Sequence, residues 1–210
     1  MYIPKAFAET DTEKLLDFIG ANSFGILFSQ HNGQPFATHL PFLLERNAEG
    51  PGWLWGHLAK VNPHWHDLEG EVLVVFPGPH AYISPAWYEE NKVVPTWNYV
   101  AVHVYGHLSL THEPAQLLKI VEDSVSFYEA PRPHPWNMAD SQEYIQKLLK
   151  GIVGFNIEIT RLEGKWKLSQ NHPIARQEKV VKALRQLPDQ NSLEIAGLMA
   201  ENLMRRGGDE

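Results

Sequence analysis

Cysteine is absent from all 210 residues, which removes disulfides, thiolate metal sites and thiol nucleophiles together. No apolar run approaches the roughly 20 residues that a membrane-spanning helix needs. The start, Met1-Tyr2-Ile3-Pro4-Lys5, has no signal-peptide hydrophobic core, so a cytoplasmic protein with no membrane partner is expected. Positive charge is scarce: 18 Lys and Arg against 25 Asp and Glu leave a formal net charge of −7. That balance argues against a large sequence-independent grip on nucleic acid, while leaving room for a local basic patch. There is no nucleophile elbow, Walker loop, Gly-x-Gly-x-x-Gly or His-Glu-x-x-His run, so no residue is marked as catalytic. His64 and His66 stand two apart and do not share a helix face, and no carboxylate lies at ligand spacing from His103 and His107. No metal site is expected; these histidines suit a hydrogen-bonded polar interface.

What is present is a 43% hydrophobic chain, enough for a core in one domain or one domain with a small appendage. Its 11 histidines, 7 tryptophans and 15 prolines concentrate between Pro35 and Trp136, which points to an aromatic, polar site there. Helical spacing predicts a first helix over Asp11–Ala21, introduced by the capping-box pattern Thr10-Asp11-Thr12-Glu13. A strand at Phe24–Phe28 and a return strand over Phe36–Glu45 flank His31-Asn32-Gly33-Gln34, a hairpin turn in which Asn-Gly tolerates positive φ. Pro41 predicts an irregularity in the return strand. Trp53–His57 reads as a short strand leading to a helix that begins after Asn62 and ends near Gly70. Glu71–Phe76 is a strand stopped by Pro77-Gly78-Pro79, and the extended aromatic stretch His80–Tyr88 comes after it. From Thr96 to Leu110 the alternation is clean: Val100, Val102, Val104 and Leu108 on one face, Trp97, Tyr99, His103, Tyr105 and His107 on the other. Helices are predicted over Pro114–Glu129 and Asp140–Lys150. A β-hairpin (Gly154–Thr160, Lys165–Gln170) turning at Glu163-Gly164 comes next, then helices over Ile174–Leu187 and Ser192–Arg205. Strands joined by short turns, with helices at the ends and between them, define an α+β class and a small antiparallel barrel with helical additions.

The richest chemistry lies in Trp55-Gly56-His57-Leu58-Ala59-Lys60-Val61-Asn62-Pro63-His64-Trp65. Asn62 suits an N-cap and Pro63 the first helical position. His57, Lys60 and His64 around that turn could donate to an anion, and a helix N-terminus favours a phosphate. An ordinary capped strand-to-helix turn explains the same residues. Thr38 and His39 on an earlier strand, and Lys167, Ser169 and Gln170 at the late hairpin, are further polar candidates that a barrel could gather. Tyr82, Trp87 and Trp97 could flank a flat ring, and Ser84 could hydrogen-bond to a ligand. Arg176, Lys179, Lys182 and Arg185 fall three or four apart and give one late helix a basic stripe, which reads as a solvated face or a DNA contact.

Five stretches, Thr38–Phe42, Gly56–Trp65, Tyr82–Tyr88, Val94–Tyr99 and Lys167–Asn171, together resemble the PaiB family of FMN-binding transcriptional regulators. The resemblance implies a split β-barrel of the pyridoxamine-phosphate-oxidase-like kind with peripheral and C-terminal helices. It places an FMN-binding domain with inserted helices at 1–172 and a helical extension at 173–210. It implies FMN as cofactor, a homodimer with the flavin at the subunit interface, and negative regulation of transcription, in bacilli of sporulation and degradative-enzyme genes, with promoter DNA as a further partner. The alternative is an FMN-dependent oxidoreductase acting on a small substrate. On this reading the cofactor-binding residues are Thr38, His39, His57, Lys60, Asn62, His64, Tyr82, Ser84, Trp97, Lys167, Ser169 and Gln170.

Overall fold

Period-two burial organises most of the chain. The computed structural model describes residues 1–68 and 70–207. Its elements are, in order, β1 (Ala8–Glu9), α1 (Thr12–Ala21), β2 (Phe24–His31), β3 (Gln34–Pro41), β4 (Leu43–Asn47), β5 (Gly50–Ala59), β6 (Glu71–Ile83), β7 (Thr96–Thr111), α2 (Pro114–Glu129), α3 (Gln142–Leu148), β8 (Ile152–Lys167), α4 (Ile174–Leu184) and α5 (Gln190–Gly207). The strands form one sheet in the order β3-β2-β6-β7-β8-β5-β4, with β1 added on β8. Among the described residues no helix is long and apolar enough to cross a membrane.

Internal contacts divide the chain into two compact units. One, here called the hairpin unit, holds Thr12–Phe76 and His103–Leu162; the other, the helix-tailed unit, holds Met1–Asp11, Pro77–Val102 and the chain from Glu163 on.

In the hairpin unit, Asn32 and Gly33 turn β2 into β3 with φ of 52° and 73°. Two positive φ values in a two-residue loop are what Asn-Gly supplies most cheaply, and they match the strand twist. The return strand is interrupted, as Pro41 predicts: β3 ends there, Phe42 N–H donates to Ser23 O at 2.8 Å, and the chain resumes as β4 against β5. Phe42 is buried and meets Phe76 edge-on at 5.5 Å and Phe155 at 5.9 Å. α1 buries Leu15, Leu16 and Ile19. Leu117, Ile145 and Leu149 form a smaller cluster under α2 and α3. The helix expected over 140–150 is three pieces, α3 with a 3-10 turn at each end.

The helix-tailed unit buries Ile83, Val100, Val102 and Leu168 together with Val180, Leu184, Ile195 and Met199 of α4 and α5. Two sequence expectations fail around its strands. β6 does not stop at Pro77 but runs to Ile83. Its pairing with β2 covers only Leu73–Val75 among the described residues, so Pro77 and Pro79 lie beyond that pairing. β8 does not turn at Glu163-Gly164. Gly164 pairs with Glu9 and Lys165 with Ala8, so β1 gives this segment a strand partner and the chain stays extended through Lys167.

Two glycines of the hairpin unit test this packing. A Cβ on Gly106 would sit 2.3 Å from Glu158 O and 2.6 Å from Ile157 Cγ2, whereas one on Gly20 in α1 would meet nothing within 4 Å. Gly106→Ala is expected to lose about 2 kcal/mol or more in urea unfolding. Gly20→Ala should gain roughly 0.5–1 kcal/mol by removing a flexible residue from a helix. Unchanged stability in Gly106→Ala contradicts the close approach of those backbones.

Candidate functional site

The turn after β5 in the hairpin unit forms as a cap, but not as the start of an α-helix. Asn62 Oδ1 accepts from His64 N–H at 3.0 Å and Pro63 comes next, as the residue types predict. From Pro63 the chain makes only a five-residue 3-10 turn, Pro63–Asp67, and not a helix reaching Gly70. The nearby backbone donors are already used: Lys60 N–H bonds Gly151 O at 2.7 Å and Asn62 N–H bonds Ala59 O at 2.9 Å. The helix-terminus argument for a phosphate therefore does not apply here.

His64 is fully buried beside this turn. Its Nε2 lies 2.7 Å from Ser29 Oγ and its Nδ1 lies 2.8 Å from Thr38 Oγ1, which also accepts from Asn62 Nδ2 at 3.2 Å. One assignment satisfies every group: Thr38 accepts from Asn62 and donates to Nδ1, and Nε2–H donates to Ser29. Burial, with the charge of His31 adding, holds the His64 pKa below the ordinary imidazole value. Three of the sequence-derived ligands, Thr38, Asn62 and His64, are thus joined to one another. His57 is half-buried, and burial lowers its pKa too. His39 is exposed, with its ring stacked 6.4 Å from Phe24. Lys60 is exposed, and among the described residues its ammonium makes no ion pair.

The remaining six sequence-derived residues lie in the helix-tailed unit. Ser84 Oγ accepts from Ala86 N–H at 3.3 Å and caps the 3-10 turn Pro85–Tyr88. Gln170 is used locally as well: its Oε1 accepts from Leu168 N–H at 2.7 Å and its Nε2 donates to Trp166 O at 2.5 Å, closing the turn in which Ser169 takes a φ of 64°. Tyr82 and Trp97 meet edge-on at 5.9 Å and are 46% and 53% exposed, an aromatic pair open to solvent. Lys167 Nζ donates to Thr96 Oγ1 and Trp97 O, both at 2.5 Å, and burial together with Lys165 lowers its pKa. Ser169 exchanges hydrogen bonds with the buried Asn98 at 3.0 and 3.2 Å.

Lys167 and Ser169 line a cavity with three residues that the sequence did not single out as ligands: Tyr88, His172 and Arg176. Arg176 was legible only as part of the basic stripe. It pairs with Glu90 and donates to His172 Nδ1 at 2.9 Å, while Lys179 pairs with Glu89 at 2.9 Å. Half of the stripe is therefore folded back onto acidic neighbours.

A larger groove of about 750 Å³ in the hairpin unit, lined by Phe42, Leu44, Trp55, Ile120 and Phe127, had no sequence signature. The charges on its rim are engaged: Arg46 with Glu13 and Asp17, Lys119 with Asp123, Glu45 with Trp55 Nε1 at 2.6 Å. Among the described residues no cation of that rim is left to hold a phosphate.

The fold has counterparts among solved flavoproteins. It matches the flavocytochrome Anf3 of Azotobacter vinelandii with a TM-score of 0.57 at 16% identity, over 79% of this chain and 72% of that one. It matches an FAD- and haem-binding protein of Mycobacterium smegmatis with a TM-score of 0.57 at 12% identity, over 76% and 73% of the two chains. The architecture is the split β-barrel of these flavin-binding neighbours. Residues 1–161 match the family described as "Putative FMN-binding domain", and the chain belongs to that family. It is 38% identical to the protease synthase and sporulation protein PAI 2 of Bacillus subtilis over 98% of this chain and all of that one. It is 31% identical to an uncharacterised protein of Aspergillus fumigatus over 96% and 97% of the two. FMN is the cofactor of this family of domains and of this chain.

The free charge of Lys60 fits a flavin phosphate. The buried imidazole of His64 does not, because both of its nitrogens are taken and its surroundings disfavour the cation. A neutral ring has a pH signature. His57, His64 and His172 are each held below the ordinary value of 6.5, first of all by burial. The folded chain keeps them neutral while the unfolded chain protonates, so their contribution is complete above pH 6.5 and falls as pH drops through it. Thermal unfolding should be flat between about pH 8 and 7 and decline toward about pH 5. His64→Gln should lose about 1–3 kcal/mol at neutral pH and shallow the decline. Stability that rises on acidification below pH 6.5 contradicts a neutral, buried His64.

Proposed function

We propose that this protein is an FMN-binding negative regulator of transcription, and that Lys60 holds the phosphate of the flavin. The observation that carries the regulatory reading is whole-length identity to a relative named for protease synthesis and sporulation. The placement of the phosphate rests on Lys60, an exposed cation without an ion pair among the described residues, on a turn made rigid by the bonds among Asn62, Thr38, Ser29 and His64. His57, neutral and half-buried two positions before the end of β5, is a hydrogen-bonding partner for the same ligand. Bound FMN supplies hydride and single-electron exchange; the residues of this turn supply charge and position.

The functional form on this reading is a homodimer. Trp97, Tyr82 and Val94, 53%, 46% and 74% exposed, are large apolar side chains for a second copy to cover. Promoter contact would fall to Lys182 and Arg185 of α4 and its C-cap, outside any ion pair among the described residues. So few cations on a chain of net charge −7 imply a shallow salt dependence, with a log K against log salt slope of roughly −2 per copy.

FMN fluorescence titration tests the placement. Lys60→Ala should weaken binding at least about tenfold, since a charge-assisted hydrogen bond contributes about 1.5–3 kcal/mol. Equal affinity in the variant overturns it. For the regulatory role, deleting the gene should raise transcripts whose upstream DNA the purified protein retards in a gel. A deletion that alters no transcript, with protein that retards no fragment, contradicts the role.

A further inference from the structure

On the reading that Lys60 holds the flavin phosphate, we propose that Trp65 is its positioning residue: the indole N–H fixes the main chain of Lys60, so that the ammonium meets the phosphate from one direction. Lys60 is the first residue after β5, which ends at Ala59. A lysine in that place is a poor anchor by itself, because its flexible four-carbon stem gives the ammonium many positions. Ordering such a side chain on binding costs affinity, so whatever fixes the root of the stem beforehand strengthens the complex.

Both main-chain groups of Lys60 are engaged. Its N–H donates to Gly151 O at 2.7 Å, and its C=O accepts from Trp65 Nε1–H at 2.9 Å. The first bond continues the β5–β8 ladder, which pairs Ala59 with Ile152. The second belongs to no ladder and exists only because an indole stands at position 65. Together they hold the peptide planes on either side of Lys60, which gives its Cα–Cβ bond one direction and leaves only the side-chain torsions to be ordered. The other bonds of the turn, Asn62 N–H to Ala59 O and His64 N–H to Asn62 Oδ1, do not touch the Lys60 carbonyl.

A hydrogen bond open to solvent competes with water, so it holds a carbonyl only when its donor is itself held. The indole is held. Its ring lies 3.7 Å from the ring of His66, tilted by 31°, and meets His112 edge-on at 5.7 Å. His112 stands between β7 and α2, so the ring is braced from outside its own turn. An indole has a single N–H and no acceptor, and Trp65 spends that donor on Lys60. It therefore acts on the ligand through Lys60 and not by a hydrogen bond of its own.

The test is a double-mutant cycle read by FMN titration, in which Trp65→Phe, Lys60→Ala and the double variant are compared with the wild type. Trp65→Phe keeps an aromatic ring beside the two imidazoles and removes the N–H donor. It should weaken FMN binding about fivefold when Lys60 is present. In the Lys60→Ala background, where no ammonium is left to position, it should weaken binding less than about twofold. A merely structural role gives a different pattern, since a loosened turn costs the same factor in both backgrounds. Equal weakening in the two backgrounds overturns the role of Trp65 and leaves Lys60 as the phosphate ligand. So does full FMN affinity in Trp65→Phe when Lys60→Ala is weakened. Full affinity in Lys60→Ala overturns the phosphate placement itself, and the role of Trp65 with it.

Discussion

The imidazole of His64, buried and held by a hydroxyl on each nitrogen, is the constraint from which the hairpin unit takes its arrangement. Ser29 belongs to β2 and Thr38 to β3, so the ring ties the turn after β5 to both strands of the β2–β3 hairpin, and Asn62 of that turn bonds Thr38 as well. Each bond in the knot needs the others. Without the ring two hydroxyls lose a partner, and without Thr38 both the ring and the Asn62 amide do. In dry surroundings such a network is stable only when complete, which keeps the ring neutral and the turn in one conformation. That conformation leaves Lys60 in solvent with its charge unspent, so the function proposed for this turn depends on where the knot places Lys60.

How far the residues themselves announced this differs by feature. The alternation of β7 was fully legible, because burial on one face needs only the order of Val100, Val102, Val104 and Leu108. The Asn32-Gly33 turn and the Asn62-Pro63 cap were legible because local backbone geometry decides them. Strand ends were not. Gly164 and Pro77-Gly78-Pro79 mark places where a chain can turn, but pairing decides whether it does. Glu9 opposite Gly164 keeps β8 straight although it lies far away in sequence.

The candidate site was legible by residue type and not by availability. His64, Asn62, Ser84 and Gln170 have the right donors for a ligand, yet each is bound to its own fold at hydrogen-bonding distance. Composition cannot show that a donor is already used. The reverse holds in the helix-tailed unit. Tyr88 looked like one aromatic among several, and Arg176 like one cation of a stripe. Only three-dimensional placement shows the Tyr88 hydroxyl without a partner, and the Arg176 guanidinium paired with Glu90 and over the Tyr88 ring at 5.1 Å. The same placement lowers the weight of α4 as a nucleic-acid surface, since two of the four basic residues of the stripe serve Glu89 and Glu90.

The central claim is that His64 is a neutral structural residue and not a ligand for the flavin phosphate. Nitrogen-15 NMR of its imidazole reads this directly. The expected spectrum at neutral pH is that of a neutral ring with one protonated and one bare nitrogen, titrating only below the ordinary imidazole value and unchanged when FMN is added. An imidazole that titrates near its ordinary value of 6.5, or that becomes protonated when FMN binds, contradicts it.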